Sequence, residues 1–173
     1  LLADDHKLIR DGIRSLIGTS SAMKIVAEAE NGRIAVELAA KLKPDVIIMD
    51  ISMPELNGID ATRKILAERP GIKVIALSID TSKNRIREMM EAGAAGYLLK
   101  ECAFEEVMSA ILTVTRGKMY LSPAISGIVV KEYVLKDPKE DLSVIHVSHP
   151  GSERSCSSWQ RVSEQRTSRS FSP

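Results

Sequence analysis

Five strand-like segments punctuate the first 120 residues, and a helical pattern follows each of them. Leu1-Leu2-Ala3 runs straight into Asp4-Asp5, Val46-Ile47-Ile48-Met49 ends at Asp50, Val74-Ile75-Ala76-Leu77 ends at Ser78, and Gly96-Tyr97-Leu98-Leu99 ends at Lys100. The run at 46–49 is apolar without alternation, which predicts a strand buried on both faces of a parallel sheet covered by helices. Residues 24–30 instead place Ile25, Ala27 and Ala29 on one face, with Val26 breaking the pattern. They predict an edge-proximal strand closed by an Asn31-Gly32 turn.

Between these segments the apolar positions fall at helical spacing. Leu8, Ile9, Ile13, Leu16 and Ile17 run to Gly18, and Ile34, Leu38 and Leu42 stop before Pro44. Ile59, Thr62, Ile65 and Leu66 stop before Pro70-Gly71; Ile86, Met89 and Met90 run to Gly93, the methionines reading as core. Phe104, Val107, Met108, Ile111 and Leu112 complete a fifth apolar face. Strands alternating with helices of this length predict an α/β fold, a doubly wound five-stranded parallel sheet with right-handed crossovers. Ser122-Pro123 predicts a short helix over 124–135, and Lys136 to Asp141 reads as a charged linker. Three residues are few for a strand that usually has about 5, so the numbering is expected to start inside the first strand.

The chain has 173 residues, 44% of them hydrophobic, enough for one domain with an appendage or two small ones. A net charge of +1 excludes polyanion binding through bulk charge. Cys102 and Cys156 make neither a disulfide framework nor a CxxC zinc site, which favours a reducing, cytoplasmic setting. No apolar segment approaches the roughly 20 residues that span a bilayer, and no basic-then-apolar leader opens the chain, so no membrane association is expected. Composition changes after the linker: all 12 lysines lie at or before Lys139, whereas both glutamines and the single tryptophan lie beyond it. Ten of the last 32 residues are serine. Residues 142–173 are therefore expected to be an atypical tail with little regular structure, of the kind a shift of reading frame would produce.

Asp4, Asp5, Asp50, Ser78 and Lys100 all fall at carboxyl ends of predicted strands, where such sheets bind ligands. Singly each has an ordinary explanation: an Asp or Ser starts a turn, and a strand-end Lys is solvated. Together they make three mutually repelling carboxylates with an amine and a hydroxyl. Oxygen donors without His or Cys suit Mg²⁺, which prefers one or two carboxylates plus a phosphate. A cation, an ammonium and a hydroxyl around one carboxylate make a phosphoryl site, with Asp50 as the nucleophile.

Ala3-Asp4-Asp5-His6, Met49-Asp50-Ile51-Ser52-Met53-Pro54-Glu55-Leu56-Asn57-Gly58, Ala76-Leu77-Ser78 and Gly93 to Lys100 resemble the receiver domain of two-component response regulators. Together with Met119 to Pro123 they resemble more narrowly the branch with a LuxR-type helix-turn-helix output. The resemblance covers about residues 1–120 and implies a flavodoxin-like (βα)5 receiver with strand order 2-1-3-4-5. It implies that Asp50 accepts phosphate from a sensor histidine kinase. It further implies that Asp5, Asp50 and the main-chain carbonyl of Ser52 ligate Mg²⁺, with Asp4 acting through water. Lys100 would bind the phosphoryl group, and Ser78 and Tyr97 would form a switch pair. Homodimers on phosphorylation are implied too, on a face around Tyr97 and the helices carrying Met89 and Phe104. Glu101 stands where the family often has proline.

The branch also implies transcriptional control through DNA binding. Yet Val144 to Gly151 do not continue a helix-turn-helix, and 32 residues cannot hold its four helices. The expected organisation is a receiver at 1–120, a short helix and linker at 121–141 and the tail at 142–173, acting as a signalling domain rather than an enzyme. A stand-alone receiver that relays phosphate or sequesters a partner is the alternative. An aspartyl-nucleophile phosphatase is disfavoured, because it needs a second acid two residues after the nucleophile and position 52 is Ser.

Overall fold

A computed structural model describes residues 1–135; the charged linker and the serine-rich tail lie outside the described residues. The elements are β1 (Leu2–Ala3), α1 (Lys7–Gly18), β2 (Glu28–Ala29), α2 (Gly32–Leu42), β3 (Val46–Asp50), α3 (Gly58–Glu68) and β4 (Lys73–Ser78). They continue with α4 (Lys83–Glu91), β5 (Gly96–Leu99), a 3-10 turn (Lys100–Cys102), α5 (Ala103–Thr115), β6 (Tyr120–Leu121) and α6 (Pro123–Leu135). The strands form one parallel sheet in the order β2-β1-β3-β4-β5-β6. The expected order of the first five stands, and β6 adds a sixth strand outside β5.

The unbroken apolar strands feed two separate cores, because successive side chains point to opposite faces. Ile47, Met49, Val74, Ala76, Tyr97 and Leu99 pack with Ile59, Ile65, Ile86 and Met89 on one side. Leu2, Ile48, Ile75, Leu77 and Leu98 pack with Ile13, Ile17, Val107, Ile111 and Val114 on the other. A fully buried Leu or Ile contributes about 1.5–3 kcal/mol, so the strands buried on both sides are the main anchor of the fold.

Several sequence expectations are displaced. Leu8, Phe104, Leu112 and Leu42, assigned to apolar faces, are 81%, 44%, 45% and 42% exposed. The core side of α5 is instead Ala103, Val107, Ala110, Ile111 and Val114, whose alanines let the helix sit close to the sheet. The strand expected over 24–30 narrows to Glu28–Ala29, which pair with Leu2 and Ala3. The boundary drawn after residue 120 falls inside β6. Ser122 Nα donates to the Tyr97 carbonyl at 2.9 Å, and Ile125 of α6 is fully buried in the Tyr97 core. The Ser122 hydroxyl does not cap α6; it donates to Glu106 Oε2 at 2.7 Å, which also accepts from Tyr120 Oη at 3.2 Å. α5 and the β6–α6 segment are thereby tied together by one carboxylate.

Candidate functional site at the carboxyl end of the sheet

The register aligns the strand ends: Asp50 pairs with Leu77, and Ser78 with Leu99. Asp4 follows β1 directly, its amide donating to the Ala29 carbonyl at 3.0 Å. Its Oδ1 accepts from the His6 amide at 2.7 Å, a local turn that launches α1, and Arg10 Nη1 donates to the Asp4 carbonyl at 2.6 Å. Asp50 is held from the other side. Its Oδ1 accepts from the Ser52 amide at 3.1 Å, and the loop that follows is clamped by close backbone approaches. A Cβ at Gly58 would stand 2.0 Å from the Asp50 carbonyl oxygen, and one at Gly32 would stand 2.1 Å from that of Leu56. Only glycine fits at these two positions. Asn57 caps α3 by accepting from the Asp60 amide at 2.9 Å, fixing where the loop ends.

Asp4, Asp50 and Ser78 are at most 1% exposed. Lys100 Nζ lies 2.7 Å from Asp50 Oδ2 and 2.9 Å from Asp4 Oδ2, so one ammonium is shared by two buried carboxylates. The contact with Asp4 is an ion pair without hydrogen-bond alignment, and Asp4 Oδ2 accepts no hydrogen bond. The triad carries a formal net charge of −1. Burial raises the Asp50 pKa above its usual 3.8; hydrogen bonds from Lys100 and Ser52 oppose the rise, and the Asp4 charge adds to it. Burial alone would lower the Lys100 pKa, but its two carboxylate partners outweigh burial and raise it.

Asp5 joins the cluster from the rim. Asp4, Asp5, His6 and Asp50 each offer a donor atom, all within 4.8 Å of one another. The chemistry of the set fits a small hard cation: three carboxylates, one with a buried oxygen lacking a hydrogen bond, and a surplus negative charge after Lys100 is counted. The oxygen-only expectation missed His6, whose Nδ1 lies 2.6 Å from Asp5 Oδ1 and 3.2 Å from Asp4 Oδ1. It missed Arg10 as well, and the signal for both was position: they occupy the cap and first turn of the helix launched from Asp4.

Ser78 and Tyr97 meet through a third residue. Ser78 Oγ accepts from the Asp80 amide at 2.9 Å, while Tyr97 Oη donates to the Asp80 carbonyl at 2.8 Å. The Tyr97 ring is fully buried, and burial raises its pKa above 10.0. The Asp80 carboxylate is held below its usual range by the Ser82 amide. Ser52 is exposed and contributes its amide to Asp50. Of the residues singled out in the sequence, Asp4, Asp5, Asp50 and Lys100 are thus brought into one cluster, and Ser78 and Tyr97 into an adjoining one.

The response regulator receiver domain model matches residues 1–112. The transcriptional regulatory protein DegU of Brevibacillus brevis is 38% identical over 133 residues, 77% of this chain and 56% of that protein. The response regulator GacA of Pseudomonas aeruginosa is 40% identical over 126 residues, 73% of this chain and 59% of that protein. The chain therefore spans somewhat over half the length of these relatives. A two-component response regulator of the LuxR family from Aurantimonas sp. SI85-9A1 superposes with a TM-score of 0.73 at 32% identity, over 77% of this chain and 95% of that one. Among the described residues no helix is long and apolar enough to cross a membrane.

Proposed function

The chain belongs to the response regulator receiver family, and from that premise we propose that Asp50 accepts a phosphoryl group from the phosphohistidine of a sensor histidine kinase and so controls a transcriptional output. The observation that carries the reading is the single ammonium of Lys100 set between two buried carboxylates, Asp50 and Asp4. Burying charge this way is costly, and such clusters concentrate at functional sites. Asp50 Oδ is the nucleophile: a new O–P bond forms as the P–N bond to histidine breaks, and the histidine leaves with its electron pair. Lys100 exchanges a carboxylate oxygen for a phosphoryl oxygen, and Ser78, released from the Asp80 amide, donates to another. Tyr97 follows the Asp80 segment it shares with Ser78.

Asp5, Asp50 and the main-chain carbonyl of Ser52 would hold Mg²⁺, with Asp4 acting through water. The cation supplies positive charge against the phosphoryl oxygens. A phosphoryl group changes the local charge by about −1.5 to −2 and shifts populations through its differential contacts with two states. A receiver that carries β6 and α6 with it, a linker after α6 and a cytoplasmic setting complete the reading. Ser52 offers no acid two residues after Asp50, which separates this site from an aspartyl phosphatase. Exposure to acetyl phosphate and Mg²⁺ should add one acid-stable, base- and hydroxylamine-labile phosphoryl group to the parent and none to Asp50→Asn. Equal uptake by both would refute Asp50 as the acceptor.

A further inference from the structure

Arg10 reaches the acidic cluster from behind. It lies in the first turn of α1, with its amide donating to the His6 carbonyl at 3.2 Å, yet its side chain turns back toward the strand ends and is only 14% exposed. Nη1 donates to the Asp4 carbonyl at 2.6 Å, and Nε donates to Glu28 Oε2 at 3.2 Å. Glu28 belongs to β2, where it pairs with Leu2 of β1, so the anchor of the guanidinium sits in the sheet itself. Glu28 also accepts from Arg14, which pairs in turn with Asp11 at 2.8 Å. An exposed ion pair contributes little by itself, but this guanidinium is largely enclosed and directs one donor to a main-chain carbonyl.

That carbonyl belongs to the peptide joining Asp4 to Asp5, two of the carboxylates that crowd against Asp50. Lys100 pairs with Asp4 and Asp50, and the negative charge left over pushes the Asp4-Asp5 turn outward. The Asp4 amide, bonded to the Ala29 carbonyl, fixes where the chain leaves the sheet, and the His6 amide fixes the Asp4 carboxylate. The direction of the peptide onward to Asp5 is set by Arg10. A bare guanidinium here would oppose a bound cation through its own charge. Glu28 offsets that charge, so the donor geometry is kept without the repulsion.

We propose that Arg10, held by Glu28, is a positioning residue for the divalent cation: it fixes the Asp4-Asp5 peptide and so keeps the Asp5 carboxylate in the cluster against the repulsion of its neighbours. This rests on the reading of the cluster as a Mg²⁺ site. Arg10 contacts the main chain of the turn and acts through Asp5. Groups that orient metal ligands weigh heavily on affinity, because a ligand free to swing must be ordered when the cation binds. Loss of Arg10 therefore appears in the affinity for the cation, and the rate of phosphoryl uptake recovers once the cation is saturating.

Calorimetric titration of Mg²⁺ into the full chain tests this, with phosphoryl uptake from acetyl phosphate followed by intact mass. Arg10→Met should raise the Mg²⁺ dissociation constant roughly tenfold, with the uptake rate at saturating Mg²⁺ that of the parent. Arg10→Lys keeps the charge but has one amine for two partners, and should fall between the two. Glu28→Gln leaves the guanidinium charge unopposed and should weaken Mg²⁺ binding, more at low salt than at high. It should weaken binding no further when Arg10→Met is already present. Parental Mg²⁺ affinity in Arg10→Met overturns the inference, as does a Glu28→Gln effect that simply adds to that of Arg10→Met. Should Arg10→Met lose its cooperative melting transition, Arg10→Lys and Glu28→Gln decide: weakened binding in both supports the inference, and parental affinity in either overturns it. A parent that binds Mg²⁺ but takes up no phosphoryl group removes Asp50 as the acceptor and leaves this inference to the titration alone. A parent that binds no Mg²⁺ overturns it.

Discussion

The two ends of the sheet are built in opposite ways. At the carboxyl end Asp4, Asp50 and Ser78 are buried around Lys100, where charge is costly and packing is tight. At the amino end lies an open pocket of about 270 Å³ lined by residues including Ile17, Met23, Ile25, Val46 and Ile111. Open space by itself does not identify a ligand, whereas an unevenly neutralised, buried cluster of carboxylates is a candidate site. Room and chemistry lie at different ends, and buried charge is the better guide.

The largest expected effect comes from removing the cation that the carboxyl end depends on. Lys100→Met leaves Asp4 and Asp50 facing each other without a counter-charge, and should destabilise the fold by about 3–5 kcal/mol. Urea unfolding measures this, and added Mg²⁺ should restore more stability to the variant than it adds to the parent. Equal stability would mean that the two carboxylates do not need Lys100. Next comes the loop clamp. Gly58→Ala drives a methyl group against the Asp50 carbonyl and should cost about 1–3 kcal/mol, with phosphoryl uptake falling in step because the displaced atom belongs to the acceptor residue. Normal uptake in a destabilised variant would detach the clamp from the site.

Removing a charge should have the opposite sign. Asp50→Asn turns the net −1 triad neutral and should raise stability at neutral pH. The folded pKa of Asp50 lies above the unfolded 3.8, so the native state takes up this proton first as the pH falls. The penalty on ionised Asp50 is therefore present at neutral pH and relieved as the pH drops through the raised pKa. The advantage of the variant should shrink toward pH 4, and an advantage constant with pH would assign it to something other than charge.

The two ends also differed in how legible they were in the sequence. Asp50, Ser78 and Lys100 could be placed because each ends a long apolar run, and a parallel sheet puts all such ends on one edge. That Lys100 would reach Asp4 as well as Asp50 depends on side-chain geometry across the four strands from β5 to β1, which spacing does not encode. His6 was passed over because an oxygen-only donor set was expected, although a residue adjacent to Asp5 had to lie near it. β6 is two residues long, too short for periodicity to register, and its pairing is set by Ser122 and Tyr97. Leu8, Phe104 and Leu112 follow helical spacing, yet periodicity does not say which of two adjacent stripes meets the sheet. Small Ala103 and Ala110 decided that, leaving the larger side chains outside.

The smallest effect is expected at the amino end, and it tests the comparison most directly. Val46 lines the open pocket, so Val46→Ile places one more methylene in space that is already open. Burying a methylene contributes about 0.8 kcal/mol, and the gain should be no larger, since part of it goes into repacking the wall. Chemical denaturation should therefore show a slightly more stable protein, and phosphoryl uptake from acetyl phosphate should be unchanged, because Asp50 lies at the far end of the same strand. A loss of stability would mean that the pocket wall cannot give and the added group is overpacked. Altered uptake would be the more damaging result: it would mean that packing at the amino end of β3 is felt at its carboxyl end, and that pocket and charged cluster are two parts of one device.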